Sequence, residues 1–506
     1  MSTPSPNGSG SNASKKQPSA AAPSPAQRET SPAQRETSPA QRETSPAQRE
    51  TSPAQRETSP AQQETSPAQR ETSPEELRAT LLRLQSQGPA ALEALPTERL
   101  LTIWQQSLEE LLDVDSPPRR ELQPALVEAS RLSPAGLQAG LEALLGGLLG
   151  EALRALAKIA DHRRRQTPPA APADPAAPTH PAASPGPAAI VLAGNLPALA
   201  AQALLPALLA RCPVLLKSPS SNPHFASALV RLLVRAHPPL AQALAATTWP
   251  GGDLQREAPL LELATPLVVY GDDATLASLR SRRSSISHPS DSNAIPDLAA
   301  YGPGWSLGIL AEDALTQPDL ARLLARDVAL FDQRGCLSLR ELWIQADPSQ
   351  ARGFALDLAT ALAREAEMLP PGPTDPATLA ALRLEREVAM LRGEQIHAAT
   401  PDRLEAGTVF LTTAPEPRLP PALRALRVHA VDDLESLIPR LSPFRGQIQG
   451  AALAGEGAWH LEAALEDLGA HHRVAPGRLQ HADALWRNGG YDPLSLFGLP
   501  ASAANS

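Results

Sequence analysis

The stretch Ala189-Ile190-Val191-Leu192-Ala193-Gly194-Asn195-Leu196-Pro197 decides the fold. Its first five residues are wholly apolar, as a buried parallel strand requires. A helix-like segment at 199–209 follows the Gly-Asn turn. The pattern then repeats. Val214-Leu215-Leu216 reads as a second strand, and 223–236 as a helix capped by Ser221 or Asn222. Pro266-Leu267-Val268-Val269-Tyr270 reads as a third strand, followed by a helix over 272–282. Strands separated by helices predict a parallel sheet with right-handed crossovers, hence a doubly wound α/β domain. A second α/β region runs from Trp305 to Arg473, with strands at 306–310, 339–345 and 409–412.

On the N-terminal side, 167–187 is a Pro/Ala stretch, expected to be extended and semi-rigid. Before it, 74–166 reads as a set of helices. Ser73 is the first N-cap and Pro74 the first helical residue, and Leu77, Leu81, Leu82 and Leu84 form a stripe. Further amphipathic stretches cover 100–112, 122–132 and 137–160. These helices are expected to cover the body or to form a subunit interface. Residues 24–72 hold seven copies of Ser-Pro-Ala-Gln-Arg-Glu-Thr, with Gln63 in place of one Arg. The seven-residue period is not a coiled coil: no apolar residue exceeds Ala, and each unit carries a helix-breaking Pro. Such a tail is expected to be disordered, with a tether or a docking array for a Pro-binding partner as its functional alternatives. The expected division is a disordered tail at 1–73, a helical region at 74–166, a linker at 167–187, a cofactor domain at 188–305, a catalytic domain at 306–475 and a C-terminal segment at 476–506.

Composition narrows the function. The chain of 506 residues has a formal net charge of −9. Residues 1–74 carry eight Lys/Arg and seven Glu, leaving about −10 on the rest. No basic face follows, so nucleic acid is not an expected partner. The most apolar region, 198–216, is interrupted by Gln202, Pro206 and Arg211, so no membrane span is expected. Two cysteines and no charged-then-apolar N-terminal pattern point to the reducing cytoplasm. His471 and His472 are adjacent and without Cys or His at ligand spacing, so no metal is expected. His288 and His397 are isolated.

The chemistry centres on Cys336, in Phe331-Asp332-Gln333-Arg334-Gly335-Cys336. A lone Cys is by default a small buried hydrophobe. Its company changes that reading. Gly194-Asn195-Leu196-Pro197, then Leu216-Lys217-Ser218-Pro219-Ser220, then the Cys segment occur in this order. Together they resemble the aldehyde dehydrogenase superfamily. More narrowly, they are similar to its acyl-CoA reductase branch, which includes the fatty acyl-CoA reductase of bacterial luminescence.

The resemblance implies an aldehyde dehydrogenase-like fold of two doubly wound parallel-sheet domains. It also implies a set of roles. Cys336 is the nucleophile, its thiolate favoured by a following helix N-terminus or by Arg334. Asn195 points its amide at the forming oxyanion. Lys217 contacts the adenosine ribose of a nicotinamide cofactor. Three residues on, Ser220 stands where NAD-preferring members have a Glu, which removes repulsion toward a 2′-phosphate. With Lys217, Ser218 and Ser220 as donors, NADPH is expected rather than NADH. Trp249-Pro250-Gly251 resembles a cofactor-side turn, and Tyr270-Gly271-Asp272-Asp273 replaces a Phe-Thr-Gly-Ser element in which Gly271 would approach the pyrophosphate. Asp272 and Asp273 argue against that last role. In Tyr301-Gly302-Pro303-Gly304, Tyr301 stands where hydrolytic members carry a water-activating Glu.

The expected activity is therefore NADPH-dependent reduction of long-chain fatty acyl-CoA to aldehyde through a Cys thioester. The expected partners are acyl-CoA or an acyl carrier, an acyl-transferring enzyme, and further copies of this chain. The rivals are a CoA-acylating aldehyde dehydrogenase, a short-chain or carrier-linked reductase, and a catalytically silent scaffold.

Overall fold

A computed structural model describes residues 72–166, 186–286, 297–414 and 416–501. The tail through residue 71, most of the Pro/Ala linker and His288 lie outside these residues.

Five helices open the described chain: α1 (Pro74–Glu93), α2 (Thr97–Leu112), α3 (Pro117–Ser130), α4 (Pro134–Gly146) and α5 (Gly150–Gln166). Ser73 caps α1 as expected. Its hydroxyl accepts from Glu76 N, and the Glu76 carboxylate accepts from Ser73 N. The single stretch expected over 137–160 is two helices, broken where Gly150 takes a φ of 67°. Such a backbone conformation is costly for residues with a Cβ.

The first sheet contains β1 (Ala188–Val191), β2 (Val214–Ser218), β3 (Leu244–Thr248), β4 (Leu267–Tyr270) and β5 (Leu298–Tyr301). Its order is β3-β2-β1-β4-β5, and all its pairs are parallel. Helices α6 (Leu199–Leu209), α7 (His224–Ala236), α8 (Leu254–Leu263) and α9 (Asp273–Ser284) connect these strands. Neither Ser221 nor Asn222 caps α7, whose N-cap is Pro223. One face of the sheet packs on α6, α7 and the helices α2 to α5, and the other on α1, α8 and α9.

The chain crosses at Gly302-Pro303-Gly304 into β6 (Trp305–Leu310), then α10 (Leu320–Ala329), β7 (Leu339–Gln345), α11 (Pro348–Met368) and α12 (Pro376–Leu391). Strands β8 (Gln395–His397), β9 (Thr408–Thr412), β10 (Ala425–Val431), β11 (Ile448–Ala454) and β12 (His472–Val474) complete a second sheet of order β12-β11-β6-β7-β10-β9-β8. Only β8 is antiparallel. His397 lies on β8 and His472 on β12. Among the described residues no cluster of three metal-ligating side chains occurs, and no helix is long and apolar enough to cross a membrane.

The helical region is not a mere cover. Phe331, at the start of the Cys336 segment, packs into the same core as α2 to α5. A Cβ on Gly140 of α4 would stand 2.5 Å from its ring. Gly140→Val is expected to destabilise the protein by about 1–3 kcal/mol through overpacking. Chemical denaturation, with Cys336 alkylation followed in parallel, checks whether the strain reaches the loop.

The C-terminal residues form a strap across the body. Asp327 on α10 accepts from Gly477 N at 2.6 Å and Leu479 N at 3.1 Å. Ala484 N donates to Gly147 O, and Arg163 of α5 binds Asp492 at 2.7 and 2.8 Å.

Candidate active site

The order of the first sheet reverses at β1, between β2 and β4. In open parallel sheets the crevice at the carboxyl ends of such strands is where ligands bind. Gly194 and Asn195 follow β1 there, Tyr270 ends β4 and Tyr301 ends β5. Gly194 permits a close approach, since a Cβ would lie 2.6 Å from Ser221 Oγ. Asn195, the exposed tip of this turn, donates from Nδ2 to Arg334 O at 2.9 Å. The carboxamide and the Cys336 loop, 139 residues apart in the donor–acceptor pair, are thus joined by one hydrogen bond. A primary amide has two protons, so one remains for a substrate oxygen.

The Cys loop takes an unusual path. Phe331, Asp332 and Gln333 have φ of 58°, 48° and 58°, all left-handed and none a glycine. Each such residue costs about 1–2 kcal/mol, so the surroundings must hold it. Asp332 accepts from Arg424 Nε at 3.0 Å and Nη2 at 2.7 Å in a buried pair, and from Gly372 N at 3.0 Å. Gln333 donates to Leu339 O at 2.8 Å and Ala425 O at 2.9 Å, and accepts from Ala425 N at 2.9 Å. Ser306 Oγ donates to Cys336 O at 3.1 Å. Gln480, from the strap, donates to Ser338 Oγ at 2.9 Å. The sequence reading misses these supports. Gln480 lies in a segment to which it gives no role, and nothing local marks Arg424.

Two expectations for the thiol are corrected. No helix follows Cys336; a short turn leads directly into β7. The guanidinium of Arg334 is turned to the helical region, donating to Ser130 O and Arg131 O. Cys336 is partly exposed, yet burial pushes its thiol up to about 11, against the opposing pull of the N–H groups of Cys336 and Leu337. Cys212 is buried and pushed up to about 12. Alkylation of the free protein should therefore occur at Cys336, with a rate rising about tenfold per pH unit from neutrality toward pH 10. Peptide mapping after iodoacetamide treatment checks this; a rate already level at pH 7 would contradict it.

Tyr301 belongs to an aromatic wall. Tyr301 stacks on Tyr270 with centroids 4.6 Å apart, and the Tyr491 ring stands edge-on to Tyr301 at 5.8 Å. These are the chain's three tyrosines. Burial pushes both the Tyr270 and Tyr301 hydroxyls well above their ordinary values, so they stay neutral. Asn488 of the strap hydrogen-bonds the Tyr270 hydroxyl. Beside this wall lies a crevice of about 40 Å³, lined by Leu148, Leu205, Val268, Leu496 and Phe497 among others.

The five expected cofactor residues divide. Ser220 and Gly251 are exposed at the ends of β2 and β3. Lys217 is largely buried, with its ammonium 5.5 Å from the centre of the Trp249 ring, and burial lowers its pKa. Ser218 is turned inward: its hydroxyl is buried without a partner among the described residues, and the residue lines a cavity of about 10 Å³ between α6 and α7. It does not present a donor to the surface. Gly271 donates its N–H to Tyr301 O, and Asp272 caps α9 by accepting from Thr275 N at 2.8 Å. A carboxylate already occupies that helix N-terminus, so a pyrophosphate does not fit there. The surface at Ser220 and Gly251 is open, and position 220 carries no carboxylate.

Two parallel sheets meeting over a cysteine loop and an asparagine turn define an aldehyde dehydrogenase-like fold. The chain is similar to the NAD-dependent benzaldehyde dehydrogenase of Corynebacterium glutamicum, with a TM-score of 0.57 and 15% identity over 81% of this chain and 87% of that one. It is similar also to a Mycobacterium tuberculosis aldehyde dehydrogenase complexed with NAD+, with a TM-score of 0.57 and 15% identity over 80% and 83%. Within this class the chain belongs to the acyl-CoA reductase (LuxC) family, whose family model matches residues 98–497. Among curated proteins it resembles the long-chain acyl-protein thioester reductase of Aliivibrio fischeri, at 25% identity over 261 residues, 51% of each chain. It also resembles a long-chain acyl-protein thioester reductase of Photobacterium leiognathi, at 24% identity over 255 residues, 49% of this chain and 50% of that one. The chain spans about half the length of the curated relatives it matches.

Proposed function

We propose that this protein reduces long-chain acyl thioesters to aldehydes with NADPH, through an acyl group carried on Cys336. The observation that carries the reading is the 2.9 Å bond from Asn195 Nδ2 to the Cys336 loop. It ties the Asn195 turn to the loop that carries Cys336, which supports reading the two as oxyanion donor and nucleophile.

The Cys336 thiolate adds to the thioester carbonyl, while the free amide proton of Asn195 and the Cys336 N–H hold the oxyanion. The adduct expels the donor's thiolate, which takes up the proton that left Cys336. Lys217, Ser220 and Gly251 would hold the reduced nicotinamide cofactor, which would supply the hydride that the carbonyl carried on Cys336 needs. The Cys336 sulfur is then released and the aldehyde departs. Tyr301 offers no base to activate water, so the acyl-enzyme survives until it is reduced.

The crevice beside the tyrosines, lined by Leu148, Leu205, Val268, Leu496 and Phe497 with Gln202, Asp483 and Asn488 among its polar residues, would take the acyl chain. At about 40 Å³ it is far below the roughly 300 Å³ of a small-molecule site. A long chain therefore requires the 476–501 strap to shift. The names of the curated relatives favour a protein-borne acyl donor. An acyl-transferring enzyme is the partner such a donor implies.

Intact-mass measurement tests the reading. Mixing the protein with acyl-CoA alone is expected to give one acyl adduct, mapped to Cys336, and adding NADPH should discharge it as aldehyde. An adduct that forms elsewhere, or none with either an acyl-CoA or an acyl-carrier donor, would overturn the proposal.

A further inference from the structure

A polar cavity of about 230 Å³ opens at Asn195. Ser130 and Arg131 at the end of α3, Asp332 and Arg334 of the Cys loop, and Thr374 and Asp375 ahead of α12 build much of its wall. None of Lys217, Ser220, Gly251 or Gly271 lines it. It is therefore a different approach to Asn195 from the one the cofactor residues border.

The two carboxylates and two guanidiniums that line this cavity differ in how they are engaged. Asp332 is engaged by Arg424 and by Gly372 N. Asp375 caps α12, accepting from Thr378 N at 2.8 Å and from its hydroxyl at 2.7 Å. Arg334 is engaged by the carbonyls of Ser130 and Arg131. Arg131 differs. It is exposed, held left-handed at the C-cap of α3 with φ of 54°, and its guanidinium makes no hydrogen bond or ion pair among the described residues. It feels Asp375 only at longer range. In a chain of net charge −9, an unengaged guanidinium at the mouth of a polar cavity is a local anion receptor.

We infer that this cavity receives the phosphopantetheine arm of the acyl donor, with Arg131 binding its phosphate. The inference rests on the reading of Cys336 and Asn195 given above. A thioester placed with its carbonyl at Asn195 has two ends. The apolar end suits the crevice by the tyrosines. The other end is an elongated chain of amides closed by a phosphate, which matches a polar cavity with a cation at its mouth. The planar guanidinium suits phosphate by bidentate bonding. The same arm is carried by coenzyme A and by acyl-carrier proteins.

The test uses the full chain and Arg131→Asn, a neutral residue that tolerates the left-handed backbone. Three donors bear the same acyl group: acyl-CoA, an acyl-carrier protein with its phosphopantetheine arm, and acyl-pantetheine, which lacks the phosphate. The variant is expected to raise KM about tenfold or more for a phosphate-bearing donor, as loss of a charge-assisted contact does. It should leave kcat, the KM for acyl-pantetheine and the KM for NADPH unchanged. A rise with acyl-CoA alone, or with the carrier alone, supports the subsite and identifies the donor that uses it. Equal shifts with and without the phosphate, a shift in the NADPH KM instead, or no shift would overturn it. Acylation of Cys336 by acyl-pantetheine reports on the underlying reading by itself. If neither protein is acylated, that reading fails; if both are acylated with unchanged KM values, only the subsite fails.

Discussion

Replacing Cys336 by alanine is expected to lower acyl-dependent NADPH oxidation by about 10⁴-fold or more, as loss of a covalent nucleophile does. The effect is chemical rather than structural. Cys336 is partly exposed in a turn, so removing one sulfur leaves no large void, and the unfolding midpoint should barely move. The loop's path is set by Asp332 and Gln333, not by the thiol. The variant should still bind NADPH, measured by fluorescence, and should accept no acyl label. Asn195→Ala is the informative companion. Loss of one oxyanion donor costs about 10²–10³ in kcat, and here the same carboxamide also ties the β1 turn to Arg334 O. Its acyl adduct should form slowly yet remain on Cys336. Turnover by Cys336→Ala at the rate of the native protein would remove the mechanism.

Tyr301→Glu is expected to turn the acyl-enzyme into a hydrolysable species. Tyr301 ends β5, stacked on Tyr270 and met edge-on by Tyr491. A carboxylate placed in that buried setting has its pKa raised by desolvation, toward the range of a general base at neutral pH. A positioned base accelerates water attack by about 10²–10⁴-fold. Free fatty acid should then appear from acyl-CoA without NADPH, measured by mass spectrometry. The substitution also removes a buried aromatic ring, a loss of about 3–5 kcal/mol, so the thermal midpoint must be followed alongside. Tyr301→Phe is the control. It keeps the stack and should release no acid. A folded Tyr301→Glu protein that acylates but yields no acid beyond the Phe control would show that Tyr301 does not stand where water must approach.

Much of the first sheet is legible in local composition. The wholly apolar run at 189–193, the Val214-Leu215-Leu216 run and the 266–270 run each mark a buried strand, and the sheet contains all three. Ser73 with Glu76 spells out its capping box. Strands β3, β10 and β11 carry no such mark. Leu244–Thr248 is rich in Ala and Thr, Ala425–Val431 carries buried Arg427 and His429, and Ile448–Ala454 alternates too weakly to stand out. Arg427 is tolerated there because Glu385 and Glu394 reach it from outside the strand, with Arg418 O as a further acceptor, and no local pattern announces such partners.

Sequence alone singled out the candidate side chains: one of two cysteines, an asparagine after a Gly turn, and a tyrosine at the position where the resemblance puts a carboxylate. These are matters of residue identity and order. Tertiary structure alone decided how they are held. Arg424 clamps Asp332 across 92 residues, Gln480 reaches Ser338 across 142, and Arg334 leans on α3 across 204. It also turned Ser218 inward and gave the N-terminus of α9 to Asp272. A side chain's direction depends on which distant backbone groups need a partner once water is excluded, and that need arises only after the sheets have packed.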